Sequence, residues 1–348
     1  MLRLLLIGFG NVGQELVRLL FADKVIFKGF NPENFILNGI TTRNHGSLFD
    51  AHGLKGREVL QYFEQKRQFK ADCPGFTNRS AEELLVESDY DVLVELSSLD
   101  LENKAYSTTQ RIEQALRLGK HVVTANKGPL AFHYQKLKKL AAEQNRQLLF
   151  ESTVMDGTPI FTLFRNSLKG TEVVEFSGIL NSTTNLLLSE MEKGLTPEQA
   201  LDQARKLDVV EADADHDLQG WDAALKTAIL CNVFFDTQMD PFSIPRDSFD
   251  RISTENIKLA LHAKKRWKFI VHGARESAEV GLEQVTTDHP FFNIQGTSNI
   301  LQIQAKNLAN LMIVQDKPTI TDTAYGVIND LLEILQKKGM KNESDTYS

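Results

Sequence analysis

Disulfides do not frame this chain: its 348 residues include only two cysteines, Cys73 and Cys231. So few thiols fit a reducing compartment, and buried or incidental cysteine is the expectation for both, with a reactive thiol as the alternative. Long apolar runs are absent too, and no window approaches the roughly 18 uninterrupted apolar residues of a membrane span. The opening MLRLLLIGFG breaks on glycine after Ile7 and then on Asn11, with no small-residue cleavage site, so it is no signal peptide. A soluble, cytoplasmic protein with no membrane partner is the expectation. Dense basic runs are missing, and a net charge of −7 argues against nucleic-acid binding. Internal repeats and low-complexity linkers do not occur. At 42% hydrophobic and 24% charged, the composition is that of an ordered globular chain long enough for two closely packed domains.

What is present first is an alternation. Leu2–Ile7 is a continuous apolar run, as in a parallel strand buried on both faces, and it leads into Gly8-Phe9-Gly10-Asn11-Val12-Gly13. Val12, Leu16, Leu19 and Leu20 then recur with a helical period. A Gly-x-Gly-x-x-Gly turn between strand and helix suits a dinucleotide. The first glycine makes the tight turn, the second lets backbone approach a pyrophosphate, and the third permits close helix packing. The helix N-terminus adds unpaired N–H groups and positive partial charge. A purely structural glycine turn is the competing reading.

The next strand is Phe35–Thr41. NAD-selective sites usually carry an acidic residue near this strand's end, and Thr41-Thr42-Arg43-Asn44-His45 contains none. Arg43 suits a 2′-phosphate, which favours NADP over NAD, although a solvated loop arginine fits as well. Residues 44–80 are irregular apart from a helix over Gly56–Arg67, and Ser80-Ala81-Glu82-Glu83 opens another. Strand Asp91–Leu96 ends at Ser97-Ser98, and a helix over Lys104–Leu118 closes on Gly119. Strand His121–Thr124 passes through Ala125-Asn126-Lys127-Gly128-Pro129 into a helix to Asn145, and Gln147–Phe150 is the last strand. The pattern describes a Rossmann-like, doubly wound parallel sheet over residues 1–150, an α/β class domain. Ligands of such sheets bind beyond the strands' carboxyl ends, where Gly10, Ser97 and Lys127 lie.

After Glu151 the pattern changes. Val173–Leu180 reads as a strand, with helices over Asn185–Lys193, Pro197–Leu207 and 218–235. Runs at Trp267–Val271, Val280–Val285, Asn299–Gln304 and Leu311–Gln315 suggest a mostly antiparallel sheet, giving an α+β domain over 151–319. A final helix near Ala324–Lys337, within 320–340, is expected to pack back on the first domain, with a mobile tail over 340–348. On the helix starting near Leu218, Asp222 and Lys226 share a face. Trp221, Ala224, Leu225, Ala228, Ile229 and Leu230 give it a wide buried side. Spacing alone favours an ordinary surface ion pair; the alternative is a lysine and carboxylate gathered where an alcohol is bound and protons move. Asp213, Asp215, His216 and Asp217 match no His-rich ligand spacing, so no transition metal is expected.

Taken in order, these segments resemble homoserine dehydrogenase in its short form, without a C-terminal regulatory ACT domain. GFGNVG is similar to the family's dinucleotide loop, VVTANKGPLA to its strand ending in Asn-Lys, and FESTVMDGTPI to the segment joining its domains. GILNSTTNLLL resembles the substrate-domain strand and turn, EADADHDLQGWDAALK the acidic segment and active helix, and HPFFNIQGTSNILQIQ the strand pair near the end. The resemblance covers nearly the whole chain. It implies reversible oxidation of L-homoserine to L-aspartate 4-semialdehyde with NAD or NADP, a step of threonine and methionine biosynthesis.

It also implies roles. Lys127 and Lys226 are the catalytic lysines flanking the reacting alcohol, and Asp222 orients the substrate amino group; Glu211, Asp217 and Thr183 complete the substrate site with Asp222 and Lys226. The cofactor set is Gly8, Phe9, Gly10, Asn11, Val12, Gly13, Thr41, Arg43, Ser97, Ser98, Asn126, Lys127 and Thr323. A monovalent cation such as Na+, held largely by main-chain oxygens, is implied at Glu151, Val154, Asp156 and Thr158, as is a homodimer through the substrate-domain sheet. Elementary chemistry agrees. Removing hydride from an alcohol carbon requires loss of the hydroxyl proton, which a lysine of lowered pKa, or a water it holds, accepts. Carboxylates suit the substrate ammonium group and a lysine its carboxylate.

The chain departs from the family pattern at Ser182, where glycine is usual, at Asp208-Val209 and at Met155-Asp156. The glycine-rich loop before the last helix is replaced by Gln315-Asp316-Lys317-Pro318-Thr319. Two further readings follow: a related dehydrogenase acting on another small amino or hydroxy acid, and a nucleotide-binding module without turnover. Retention of both lysines argues against the module.

Overall fold

The computed structural model describes residues 1–22, 31–206 and 215–344. The chain divides into two compact units, Met1–Phe161 with Thr319–Ser348, and Thr162–Pro318.

The first unit is built on the apolar run at the N-terminus, β1 (Leu2–Ile7). The strands that follow are β2 (Phe35–Thr41), β3 (Ser47–Phe49), β4 (Phe76–Thr77), β5 (Val92–Glu95), β6 (His121–Thr124) and β7 (Leu148–Leu149). Their order is β4-β3-β2-β1-β5-β6-β7. β1 runs parallel to both neighbours, with Leu4 opposite Leu37 on one side and Leu6 opposite Val94 on the other. β6 and β7 continue the parallel set, while β3 and β4 add antiparallel strands at the far edge. Those two strands, of three and two residues, are too short to leave a period in the sequence. The chain therefore leaves β1 towards β2 and later returns to its other side at β5, which makes the β1/β5 crevice the topological switch point.

Helices cover both faces. Leu4 and Leu6 share a core with Leu16 of α1 (Asn11–Val17), Phe63 of α2 (Gly56–Lys66) and Val327 of the C-terminal helix (Ile320–Ser344). Leu5 and Ile7 pack instead with Leu84 of α3 (Ala81–Glu87), Ile112 of α4 (Tyr106–Arg117) and Leu137 of α5 (Lys127–Glu143). This is why the strand is apolar without alternation: each buried leucine contributes about 1.5–3 kcal/mol on either side. The C-terminal helix runs on through residues read as the start of a tail, and 345–348 lie outside the described residues.

The second unit is a five-stranded antiparallel sheet. It comprises β8 (Val173–Ile179), β9 (Lys265–Ala274), β10 (Ala278–Thr286), β11 (Asn299–Ala305) and β12 (Leu311–Gln315), in the order β10-β9-β8-β11-β12. Helix α6 (Ile160–Ser167) leads into it. Within it run α7 (Ser182–Glu192), α8 (Pro197–Lys206), α9 (Asp215–Leu218), α10 (Trp221–Phe234) and α11 (Thr254–His262). Neither α6 nor α11 was anticipated. The start of the acidic-segment helix needs correction as well: α10 begins at Trp221, because Gly220 takes a left-handed φ of +76°. A Cβ at Gly220 would lie 2.9 Å from the Asp247 carbonyl oxygen, so the break is built into the packing. Burial of α10 also extends beyond one side. Asp222–Leu225 and Thr227–Phe234 are all buried, leaving only Trp221 and Lys226 partly accessible.

One buried charge gives this unit a pH dependence. Lys268, in mid-β9, is 0% exposed; its ammonium donates to Asn185 Oδ1 at 3.2 Å and to the Ile294 carbonyl oxygen. Burial pushes its pKa down to about 8 from an ordinary 10.5, against the opposing pull of Glu192. Between those values the unfolded chain holds a proton that the folded chain has released, so raising the pH favours the folded state. Unfolding measurements are expected to show a stability gain on the order of 3 kcal/mol across that window in wild type. Lys268→Met should lack it, and equal slopes for the two proteins would refute the assignment.

Candidate active site

At the switch point the three loop glycines do different work. Gly8 has φ +102°, and a Cβ there would lie 2.5 Å from the Leu96 carbonyl and 2.7 Å from the Ser97 nitrogen. A Cβ at Gly13 would lie 2.9 Å from the Gly8 oxygen. Both are demanded by the fold. At Gly10 an added Cβ would meet nothing within 4 Å, so open space lies in front of the loop. Gly10 N-caps α1 with no side-chain acceptor, so no side-chain oxygen caps the first amides of that helix. A pyrophosphate fits this arrangement. Phe9 contributes only backbone: its ring packs on Phe63 and Phe69, with centroids at 5.1 and 5.5 Å. Thr41 is buried and shares a hydrogen bond with Ser47, whereas Arg43 is exposed in the turn after β2. Thr42 ties that turn, donating to the Gly46 carbonyl and accepting the His45 amide.

Asn126 organises the next carboxyl end. Its Nδ2 donates to the Ser97 and Ser98 carbonyls at 2.9 and 3.2 Å, while its Oδ1 accepts the Gly128 amide and caps α5. Lys127 is thereby the first residue of that helix. Beneath the loop, Glu95 is fully buried, and its Oε1 accepts the Ser97 amide at 2.7 Å. Burial pushes its carboxyl up despite that bond and the Arg111 guanidinium 3.7 Å away. In the same unit Thr323 donates to Asp156, which has φ +48°, and the fully buried Glu151 accepts the Phe161 amide at 2.6 Å.

The second unit brings together Thr183, Asp217, Asp222 and Lys226. β8 runs out at Ile179, and Asn181 caps α7 by accepting the Thr184 amide at 2.8 Å. The same side chain's Nδ2 donates to Asp217 at 2.8 Å and to Asp222 at 2.9 Å. The Thr183 hydroxyl donates to the other Asp217 oxygen at 2.7 Å. Lys226 lies 3.0 Å from Asp222 and donates to the Leu180 carbonyl at 2.6 Å. The surface ion pair that the spacing allowed is thus ruled out, since only 15% of the Lys226 side chain and 11% of the Asp222 side chain are exposed. Burial, and then the neighbouring Asp222 carboxylate, push the Asp217 carboxyl above its usual range; Thr183, Asn181 and Lys226 offset part of that.

Asn181 was not among the residues read from the sequence, although an Asn-Ser-Thr-Thr run after a strand is a helix-start signal. Ser182, in place of the usual glycine, pairs with the Asn299 side chain at 3.1 Å. Trp221, which opens α10, has the Arg246 guanidinium 3.3 Å from its ring centroid and Phe242 edge-on at 5.1 Å. Glu211, Asp213 and Asp208-Val209 lie outside the described residues.

Residues 8–151 match the family model described as the NAD binding domain of homoserine dehydrogenase, and residues 159–332 match the homoserine dehydrogenase model itself. The chain is also 30% identical over 347 residues to the NAD(+)-dependent homoserine dehydrogenase of Pseudomonas canavaninivorans, covering 98% of each. The chain belongs to the homoserine dehydrogenase family. Its fold is shared with a solved structure from Archaeoglobus fulgidus at a TM-score of 0.82 and 28% identity, covering 96% of this chain and 99% of that one. A hyperthermophilic archaeal homoserine dehydrogenase solved with NADPH aligns at a TM-score of 0.81 and 26% identity, covering 97% and 98%. In this homoserine dehydrogenase family member, the open space at Gly10 lets a side chain there test cofactor binding without disturbing the fold. Gly10→Val is expected to cost less than about 1 kcal/mol of stability, as a change of helix cap. It should weaken NAD(P)H binding about 10-fold or more by fluorescence titration. Unchanged binding would remove the loop from the cofactor site.

Proposed function

We propose that this chain oxidises L-homoserine reversibly to L-aspartate 4-semialdehyde, with Lys226 handling the hydroxyl proton and Asp217 and Asp222 holding the substrate ammonium. The observation that carries the assignment is the buried Asp222–Lys226 pair, joined to Asp217 through Asn181. Two carboxylates in a desolvated cluster match an ammonium group better than any neutral ligand, because a bound cation relieves their mutual repulsion. Lys226, held by the Leu180 carbonyl, is kept at a defined height above that cluster.

In the oxidation the carbinol C–H bond breaks with its electron pair, the O–H bond electrons become the second bond of the new carbonyl, and the proton passes to Lys226 or to a water it holds. NAD(P)+, when bound along Gly8–Gly13 and Ser97–Asn126, supplies the hydride acceptor. Lys127, at the first position of α5, takes the role of the family's second lysine and stabilises the developing alkoxide. The oxidation releases a proton, so alkaline pH draws the equilibrium towards the aldehyde.

NADP is the preferred cofactor on this reading. Its supports are the exposed Arg43, the lack of a carboxylate over residues 41–45 and the NADPH bound by the archaeal relative; the Pseudomonas relative, by name NAD(+)-dependent, points the other way. A monovalent cation at Glu151, Val154, Asp156 and Thr158 is supported by the buried Glu151 carboxylate. A homodimer across the five-stranded sheet is supported by the exposed Met312 and Val314 on its edge strand. Activity titrated with Na+ and sedimentation in solution test these two readings. A cytoplasmic setting is supported by the two buried free cysteines; no described helix is long and apolar enough to cross a membrane.

Steady-state assays with L-homoserine and each cofactor test the whole assignment. Lys226→Ala and Lys127→Ala are each expected to lower kcat/KM by about 100-fold to 10,000-fold while the proteins stay folded. Absence of turnover in wild type that still binds cofactor would refute homoserine as the substrate. Arg43→Ala should lower kcat/KM with NADP about 10-fold, and with NAD hardly at all. Equal losses for both cofactors would free Arg43 from the site.

A further inference from the structure

A second cavity, of about 440 Å3, opens in the first unit at the amino ends of β1, β5, β6 and β7, against the C-terminal helix. The dinucleotide loop lies beyond the opposite, carboxyl ends of the same strands, so the two spaces are separate. The volume falls in the range of small-molecule sites. Leu2, Tyr90 and Ile334 lie beneath the cavity, each at most 1% exposed, so the surface open to a ligand comes from the residues of the walls. The walls carry Lys120, His121, Arg146, Lys337 and Lys338, and among the lining residues Asp91 is the one carboxylate. Such a wall runs against the chain's net charge of −7.

Partners decide what this charge is for. Asp91 is engaged already, accepting the Arg3 amide at 2.8 Å and Lys338 at 3.2 Å. Lys337 is held by Glu333 and Gln147, both at 2.9 Å. Lys120 and Arg146 differ: among the described residues neither has a carboxylate partner. The Lys120 ammonium stands 5.0 Å from the Tyr90 ring centroid, and Arg146 donates only to the Gly119 and Asn145 carbonyls. Gly119, beside the guanidinium, has φ +72°, a left-handed conformation that favours glycine. Two partly sheltered cations without a carboxylate partner are answered by a small anion.

We infer that this cavity binds a small anion, its carboxylate or phosphate group on Lys120 and Arg146. A ligand seated there bridges the sheet's amino ends to the C-terminal helix. The inference does not depend on the oxidoreductase assignment.

Calorimetric titration of the full chain with hexanoate and with inorganic phosphate tests it, with NAD(P)H binding as the check that each protein is folded. Saturable binding at a single site is expected, weakened about 10-fold or more in Arg146→Met and in Lys120→Met, which keep the aliphatic stems. Tighter binding of hexanoate assigns a carboxylate with an apolar body; tighter binding of phosphate assigns a phosphorylated ligand or free phosphate. Should one variant fail to bind NAD(P)H, the other decides. No saturable binding of either probe to wild type overturns the inference, as does binding that both folded variants leave unchanged.

Discussion

One amide nitrogen sets the geometry of the second unit: Asn181 Nδ2 donates to both Asp217 and Asp222. Two desolvated carboxylates repel each other, and the arrangement persists only because donors converge on it from the end of β8, from α7 and from α10. Lys226 closes the set from the turn above Asp222 and fastens itself to the Leu180 carbonyl. Removing one of these donors leaves a carboxylate with less compensation for its lost hydration.

The first unit solves a similar problem with the same residue type. Asn126 also follows a strand, also caps a helix through Oδ1, and also spends Nδ2 on two acceptors, here the Ser97 and Ser98 carbonyls. Asparagine suits both places because one planar group is donor and acceptor at once. In each case the cap fixes where the helix begins, and therefore where Lys127 or Thr183 stands.

Long elements were legible in the sequence, and the reasons are specific. β1 shows itself as unbroken leucine because helices cover both its faces, and α3 through its Ser80–Glu83 capping box. β3 and β4 were not legible, because three and two residues are too few for an alternation to repeat. The start of α10 was placed too early because Gly220 interrupts an otherwise continuous helical run, and only its close approach to Asp247 shows that the interruption is obligatory. α11 carries a weaker signal, a capping box closed by Asn256 where glutamate or glutamine is usual. In the site, charged residues were readable from spacing, whereas Asn181 was not, since its importance lies in contacts 36 and 41 residues away. The burial of Lys268 had a trace in the lysine set among the apolar residues of β9.

The stacking of Arg246 on Trp221 has an optical consequence. The chain has only two tryptophans, and the other, Trp267, donates its Nε1–H to the Asn256 carbonyl at 3.2 Å. Trp221 directly precedes Asp222 on α10, with a fixed guanidinium against its face. Indole emission is sensitive to nearby charge, so placing an ammonium group on the carboxylate cluster changes the electric field at a native fluorophore. An ammonium group held as proposed at Asp222 would therefore register at a native fluorophore, without any label.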